Sequence, residues 1–169
     1  MPANIEIKAL VSDFEALRHK AEKISDSPVQ VIPQEDTFFS CPHGRLKLRE
    51  LGPACGQLVY YLRQDMAGPK HSEYQISNTT DPAGLKQILA QAFGVLGVVT
   101  KVRYLYLAGQ TRIHLDDVQG LGKFVELEVV LQPGQSDAEG QAIADDLMSK
   151  LGIQEADLIE GAYMDLIRK

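Results

Sequence analysis

A chain of 169 residues with 44% hydrophobic and 24% charged residues has the size and make-up of one ordinary globular domain, residues 1–169, able to bury a real core. Its net charge of −6 argues against a general nucleic-acid binder. No apolar run approaches the roughly 20 residues of a membrane span, and Met1 to Lys8 lacks the basic-then-apolar build of a secretory signal, so the expectation is a cytoplasmic protein without a membrane partner.

Asn4 to Val11 alternates apolar with polar residues and predicts a strand. Ser12-Asp13 opens a helix whose apolar stripe is Phe14, Leu17, Ala21 and Ile24. Pro28 ends it, and Val29 to Ser40 is extended despite Pro33. Cys41-Pro42-His43-Gly44 makes a tight turn. Arg45 to Leu51 and Gln57 to Gln64 form a hairpin around Gly52-Pro53. Beyond Gly68-Pro69 comes a strand over Ser72 to Ser77. Asp81-Pro82 starts a second helix, an N-cap followed by proline, with Leu85, Ile88, Leu89, Ala92 and Phe93 as its buried face. Val98 to Leu107 and Gln110 to Val118 pair around Ala108-Gly109. Lys123 to Leu131 follows the Gly120-Leu121-Gly122 turn. Ser136 and Glu139 form a capping box for a helix burying Ile143, Leu147 and Leu151, and a short helix lies near Tyr163 to Ile167. About eight strands with helices between and after them predict an α+β fold.

The cysteines, Cys41 and Cys55, form no Cys-x-x-Cys pair and read as two unlinked thiols. The four histidines His19, His43, His71 and His114 show no zinc-ligand spacing with them.

The charges carry the functional signal. Residues two apart on a strand share a face. Arg45, Lys47 and Arg49 therefore project together, as do Lys101 with Arg103, Arg112 with His114 and Asp116, Glu126 with Glu128, and Glu6 with Lys8. Any one such strand fits a half-solvated sheet. Five of them, segregated by sign, gain little as surface decoration, since exposed ion pairs stabilise by only about 0–1 kcal/mol. A sheet of about eight strands can close, with helices outside and charges in the lumen. Arg and Lys there would clamp phosphate oxygens, and carboxylates would hold Mg²⁺ or Mn²⁺, which prefer oxygen ligands. His114 serves equally as a phosphate donor or proton relay and as a hydrogen-bonded structural residue. Tyr60, Tyr61, Tyr104 and Tyr106 are expected to pack outside the barrel.

Several motifs occur in the order found in a known family: Asn4-Ile5-Glu6-Ile7-Lys8, Asp36-Thr37-Phe38-Phe39, Leu46-Lys47-Leu48-Arg49, Lys101-Val102-Arg103, Leu115-Asp116, Gly120-Leu121-Gly122-Lys123-Phe124-Val125-Glu126-Leu127-Glu128 and Tyr163-Met164-Asp165-Leu166. Together they resemble the CYTH superfamily, the triphosphate tunnel metalloenzymes, and Arg103 to Glu128 is most similar to the class IV adenylyl cyclase branch. The resemblance implies a closed antiparallel eight-stranded barrel. It implies that Glu6, Asp116, Glu126 and Glu128 hold metal, and that Lys8, Lys47, Arg49, Arg63, Lys101, Arg103 and Arg112 contact phosphates. Glu6, Lys8, Arg49 and Arg103 would then act at the reacting phosphate. Where the family carries its first glutamate, this chain has Asn4, which removes a charged ligand and should lower metal affinity. Three functions remain open: hydrolysis of tripolyphosphate, thiamine triphosphate or ATP; cyclisation of ATP; and binding of polyphosphate without turnover. Whether the chain forms a homodimer is also left open.

Overall fold

The computed structural model describes residues 2–63 and 66–167. The strands are β1 (Ala3–Leu10), β2 (Gln30–Phe39), β3 (Arg45–Gly52), β4 (Cys55–Arg63), β5 (Lys70–Thr79), β6 (Val95–Ala108), β7 (Thr111–Val118) and β8 (Gly122–Val130). They close an antiparallel barrel in the order β1-β5-β4-β3-β2-β6-β7-β8. Helices α1 (Phe14–Ile24), α2 (Pro82–Phe93), α3 (Asp137–Leu151) and the short α4 (Tyr163–Ile167) complete the α+β fold. The expected closed eight-stranded barrel is therefore present.

Local chemistry sets the element boundaries. Asp13 caps α1 by accepting from the Ala16 amide at 3.0 Å. Ser136 and Glu139 cap α3 reciprocally, the box read from the sequence. Gly109 has a φ of +58° in the two-residue loop between β6 and β7. A first loop residue with positive φ matches a type II′ hairpin turn, which follows the twist of its strands. Pro33 is tolerated in a long strand because β3 joins β2 only over Glu35–Phe39. Its missing N–H therefore costs no ladder bond on that side.

The apolar core lies outside the barrel wall. Ile7, Ala9, Tyr106, Ile113, Leu115, Val125 and Leu127 face Leu17 and Ala21 of α1 and Leu147, Met148 and Leu151 of α3. Helix α3 approaches so closely that a Cβ on Gly140 would meet Ile5 Cγ1 at 2.6 Å. With the apolar residues spent on the outer shell, alternation turns the polar ones into the lumen.

Two sequence expectations need correction. On α2, Ile88, Ala92 and Phe93 are exposed; Leu89 is buried and Leu85 partly so, against Phe39 and Leu48. The helix rests on β2 and β3 along one narrow stripe, so its wide apolar face cannot all be covered. Tyr61 lines the lumen rather than the outer shell, because it shares the strand face that carries Arg63. Smaller differences concern ends: β6 begins at Val95, β5 spans Lys70–Thr79, and Gln64, the expected end of β4, lies outside the described residues.

Candidate functional site

The lumen is a cavity of about 270 Å³ whose charged lining is Lys8, Lys47, Arg49, Arg63, Lys101, Arg103 and Arg112 against Glu6, Asp36, Glu126 and Glu128. Among the described residues, seven basic side chains face four carboxylates there, a formal excess of positive charge in a chain whose overall charge is −6. A low-dielectric enclosure concentrates that potential on an anionic guest.

Signs are also segregated around the barrel. On β3, β2 and β6 stand Lys47, Arg49, Lys101 and Arg103 with Asp36; across the lumen, β8 and β1 carry Glu126, Glu128, Glu6, Asn4 and Lys8. Cross-strand register creates this arrangement. Asp36 lies opposite Arg49, and Arg103 opposite Asp116. Glu128 stands between Glu6 and Arg112, and Glu126 between Lys8 and His114.

The basic wall is tightly clamped. Arg49 donates to both carboxylate oxygens of Asp36, at 2.9 and 2.8 Å, and Arg103 to both of Asp116, at 2.8 Å each. Bidentate pairs fix the guanidinium plane. Lys47 and Lys101 approach Asp36 at 3.5 and 3.6 Å. Burial works to raise the Asp36 and Asp116 carboxyls, but the surrounding cations outweigh it and hold both below the usual range. Burial, reinforced by Arg49, brings Lys47 down to about 8. Burial and Arg103 likewise push Lys101 well down.

The acidic wall is looser. Glu6 accepts from Arg63 at 2.8 Å and Glu128 from Arg112 at 2.9 Å. Lys8 lies 3.4 Å from Glu126, and the Asn4 amide donates to Glu128 at 3.4 Å. His114 Nδ1 is 3.2 Å from Glu126 and 3.3 Å from Glu128. Burial and then Arg103 lower the His114 pKa, which favours the neutral ring. These three residues form a group able to hold a metal ion, each offering a ligand atom within 4.8 Å of the others.

Ala162 and Tyr163 line one end of the lumen. The Tyr163 hydroxyl donates to Asp116 at 2.8 Å, and its ring lies 3.8 Å beneath the Lys8 ammonium. Arg45 pairs with Asp165 at 2.8 Å, outside the lining of this cavity. At the other end the lining is Ile32, Leu51, Gln57, Tyr74, Ile76 and Leu105.

Every residue expected to contact phosphate lines the cavity, as do Glu6, Glu126 and Glu128. Asp116 does not line it; it is fully buried behind Arg103. Sequence reasoning assigned no role to Asp36, although its motif was visible, nor to Lys70, which is 2% exposed and donates to the Met66 carbonyl at 2.8 Å. The position of Tyr163 at the Asp116 clamp was also missed.

The CYTH domain family matches residues 2–163. The chain belongs to the CYTH family. Solved structures agree on the CYTH barrel. The PH1012 protein of Pyrococcus horikoshii is 26% identical, with a TM-score of 0.85 over 96% of this chain and 98% of that one. A Vibrio parahaemolyticus protein assigned as an adenylate cyclase is 22% identical, with a TM-score of 0.78 over 98% of each chain. HpAC1 of Hippeastrum, named an adenylyl cyclase and described as having a dominant triphosphatase activity, is 15% identical, with a TM-score of 0.70 over 99% of this chain and 95% of that one. No curated protein matches the chain. Among the described residues, no helix is long and apolar enough to cross a membrane.

Proposed function

We propose that this CYTH protein hydrolyses a triphosphate, holding the phosphate chain against the basic wall with a divalent ion on the acidic one. The observation that carries this reading is the formal excess of seven basic side chains over four carboxylates in the lumen, among the described residues. Within it, Nε and Nη2 of Arg63 and Nε of Arg112 are buried donors without a hydrogen-bond partner, a costly state that an anionic guest relieves. The cavity of about 270 Å³ falls below the 300–1,000 Å³ usual for drug-sized ligands. It suits a phosphate chain better than an entire nucleotide, which favours hydrolysis over cyclisation. The triphosphatase activity described for HpAC1 is consistent with this choice.

In the proposed reaction a water oxygen attacks the terminal phosphorus. The bond to the bridging oxygen breaks with its electron pair, diphosphate leaves, and the water proton passes to Glu6. Arg49 and Arg103, held in plane by Asp36 and Asp116, present their remaining N–H groups to phosphoryl oxygens, where fixed donors stabilise developing charge. Lys8, Lys47, Lys101, Arg63 and Arg112 neutralise the rest of the chain. In this reading Asp116 positions Arg103 instead of ligating metal.

The residues present fit a divalent cation. Glu126, Glu128 and His114 converge, and Asn4 Oδ1 beside them is a buried acceptor with no hydrogen-bond partner. Mg²⁺ or Mn²⁺ held there, with Glu6 close by, would supply charge neutralisation at the phosphoryl oxygens.

Product analysis tests the proposal. The protein is offered tripolyphosphate, thiamine triphosphate and ATP separately with Mg²⁺ or Mn²⁺. Orthophosphate from any of them is expected; cyclic AMP with pyrophosphate would replace hydrolysis by cyclisation, and binding without products would leave a polyphosphate-binding module.

A further inference from the structure

His114 is the lumen residue for which an all-oxygen metal site has no use. It is buried on the acidic wall, and its Nδ1 faces two carboxylates almost equally, Glu126 at 3.2 Å and Glu128 at 3.3 Å. One Nδ1 proton can serve only one such acceptor well. A ring lone pair pointed at an ion between them would satisfy all three groups. Ligand atoms about 2.1 Å from a shared ion lie about 3.0 Å apart at octahedral corners and about 3.4 Å apart at tetrahedral ones. The two His114 spacings fall between those values, and all three ligand atoms lie within 4.8 Å of one another.

Of the other carboxylates in the expected metal set, Asp116 has both oxygens taken by Arg103 and accepts from Tyr163 as well, whereas Glu6, like Glu128, holds one arginine through a single bond and does not face the His114 ring. Asn4 supplies the independent observation. It is 3% exposed and lines the same cavity. Its amide nitrogen is turned to Glu128, which leaves Oδ1 as a buried carbonyl acceptor without a partner. An uncharged carbonyl where the family carries glutamate, next to an imidazole, changes the donor set in kind. Imidazole nitrogen suits transition-metal ions, whereas Mg²⁺ favours oxygen alone.

We infer that the ion site is a mixed nitrogen–oxygen one, His114 Nδ1 with the Glu126 and Glu128 carboxylates beside the Asn4 carbonyl, and that it selects Mn²⁺ over Mg²⁺. It depends on the proposed triphosphatase reading only in supposing that the lumen takes a dication. Selection follows from the nitrogen ligand, so it should exist before any triphosphate is added.

The test is binding of Mn²⁺ and Mg²⁺ alone to the metal-free protein by calorimetry, with pulsed electron paramagnetic resonance on the Mn²⁺ form to detect a coupled nitrogen. Mn²⁺ is expected to bind at least about tenfold tighter than Mg²⁺ and to show nitrogen coupling. His114→Gln should abolish the coupling and most of the preference while leaving Mg²⁺ affinity nearly unchanged. Bound Mn²⁺ without nitrogen coupling in the unaltered protein, equal affinities, or no dication binding would each overturn the inference, whatever the fate of the variant. Tripolyphosphate binding in chelator, measured in parallel, separates the two readings. Its absence alongside nitrogen-coupled Mn²⁺ sinks the triphosphatase and spares this site; its presence without nitrogen coupling does the reverse.

Discussion

The two facing walls of the lumen use carboxylates differently. On β2 and β7, Asp36 and Asp116 are 1% and 0% exposed, and each grips an arginine through two short bonds. On β8, Glu126 and Glu128 meet Lys8, His114 and Asn4 at 3.2–3.4 Å, and only the Arg112 contact is shorter. A carboxylate whose oxygens are both taken by a guanidinium acts as scaffolding for that guanidinium. One with several longer contacts can exchange them for an ion. The lesson is that like side chains on adjoining strands divide into positioning and binding roles by how completely their hydrogen bonds are already filled.

Removing Asp116 should have the largest effect. Asp116→Ala leaves the Arg103 guanidinium buried, 4% exposed, without its counter-charge, and breaking one side of a buried pair costs about 3–5 kcal/mol. Urea denaturation should show that loss, together with lost phosphate release because Arg103 is no longer held in plane. Unaltered stability would mean that the basic wall is as loose as the acidic one.

The alkaline side of triphosphate binding sharpens the comparison from the basic wall. Burial, and after it Arg49, lowers Lys47 from 10.5 to about 8. Between those values the folded lysine is neutral while the unfolded one keeps its proton. Its contribution to folding stability therefore rises with pH across that window. Ligand binding runs the other way, because an anion favours the charged lysine. Above about pH 8, binding should take up a proton and weaken by up to about tenfold per pH unit. Calorimetry in buffers of different ionisation enthalpy would count the proton. Lys47→Arg, which stays charged, should remove that limb; if the limb persists, another group causes it.

Much of this division was legible in the strands. Period-two alternation placed Glu6 with Lys8, Lys47 with Arg49, and Glu126 with Glu128 on common faces, and closure turned those faces inward. Asp36 escaped notice because Val31 to Phe39 contains Pro33 and adjacent aromatics, which hide the alternation. Consecutive Tyr60 and Tyr61 must face opposite ways, and Arg63 was the available sign that Tyr61 points inward. On α2 the apolar face is wider than the barrel surface it meets, a tertiary fact that no helical period carries. The pairing of Asp116 with Arg103 depends on β6–β7 register, which strand alternation does not carry; the metal role expected for Asp116 came from the family resemblance.

The smallest expected change in stability belongs to the acidic wall. Glu128→Gln keeps the size and an acceptor oxygen for Arg112, whose pair with Glu128 is partly solvent-exposed, 36% on the arginine side. Such pairs contribute at most about 1 kcal/mol, so urea denaturation of the metal-free protein should shift by less than that. Dication affinity should nevertheless fall, because a charged ligand oxygen has become a neutral one. A variant that keeps its fold and loses its ion would establish that Glu128 is held ready for exchange. If Glu128→Gln instead destabilises the metal-free protein as much as Asp116→Ala, the carboxylates of both walls are scaffolding, and the dication must be held elsewhere in the lumen.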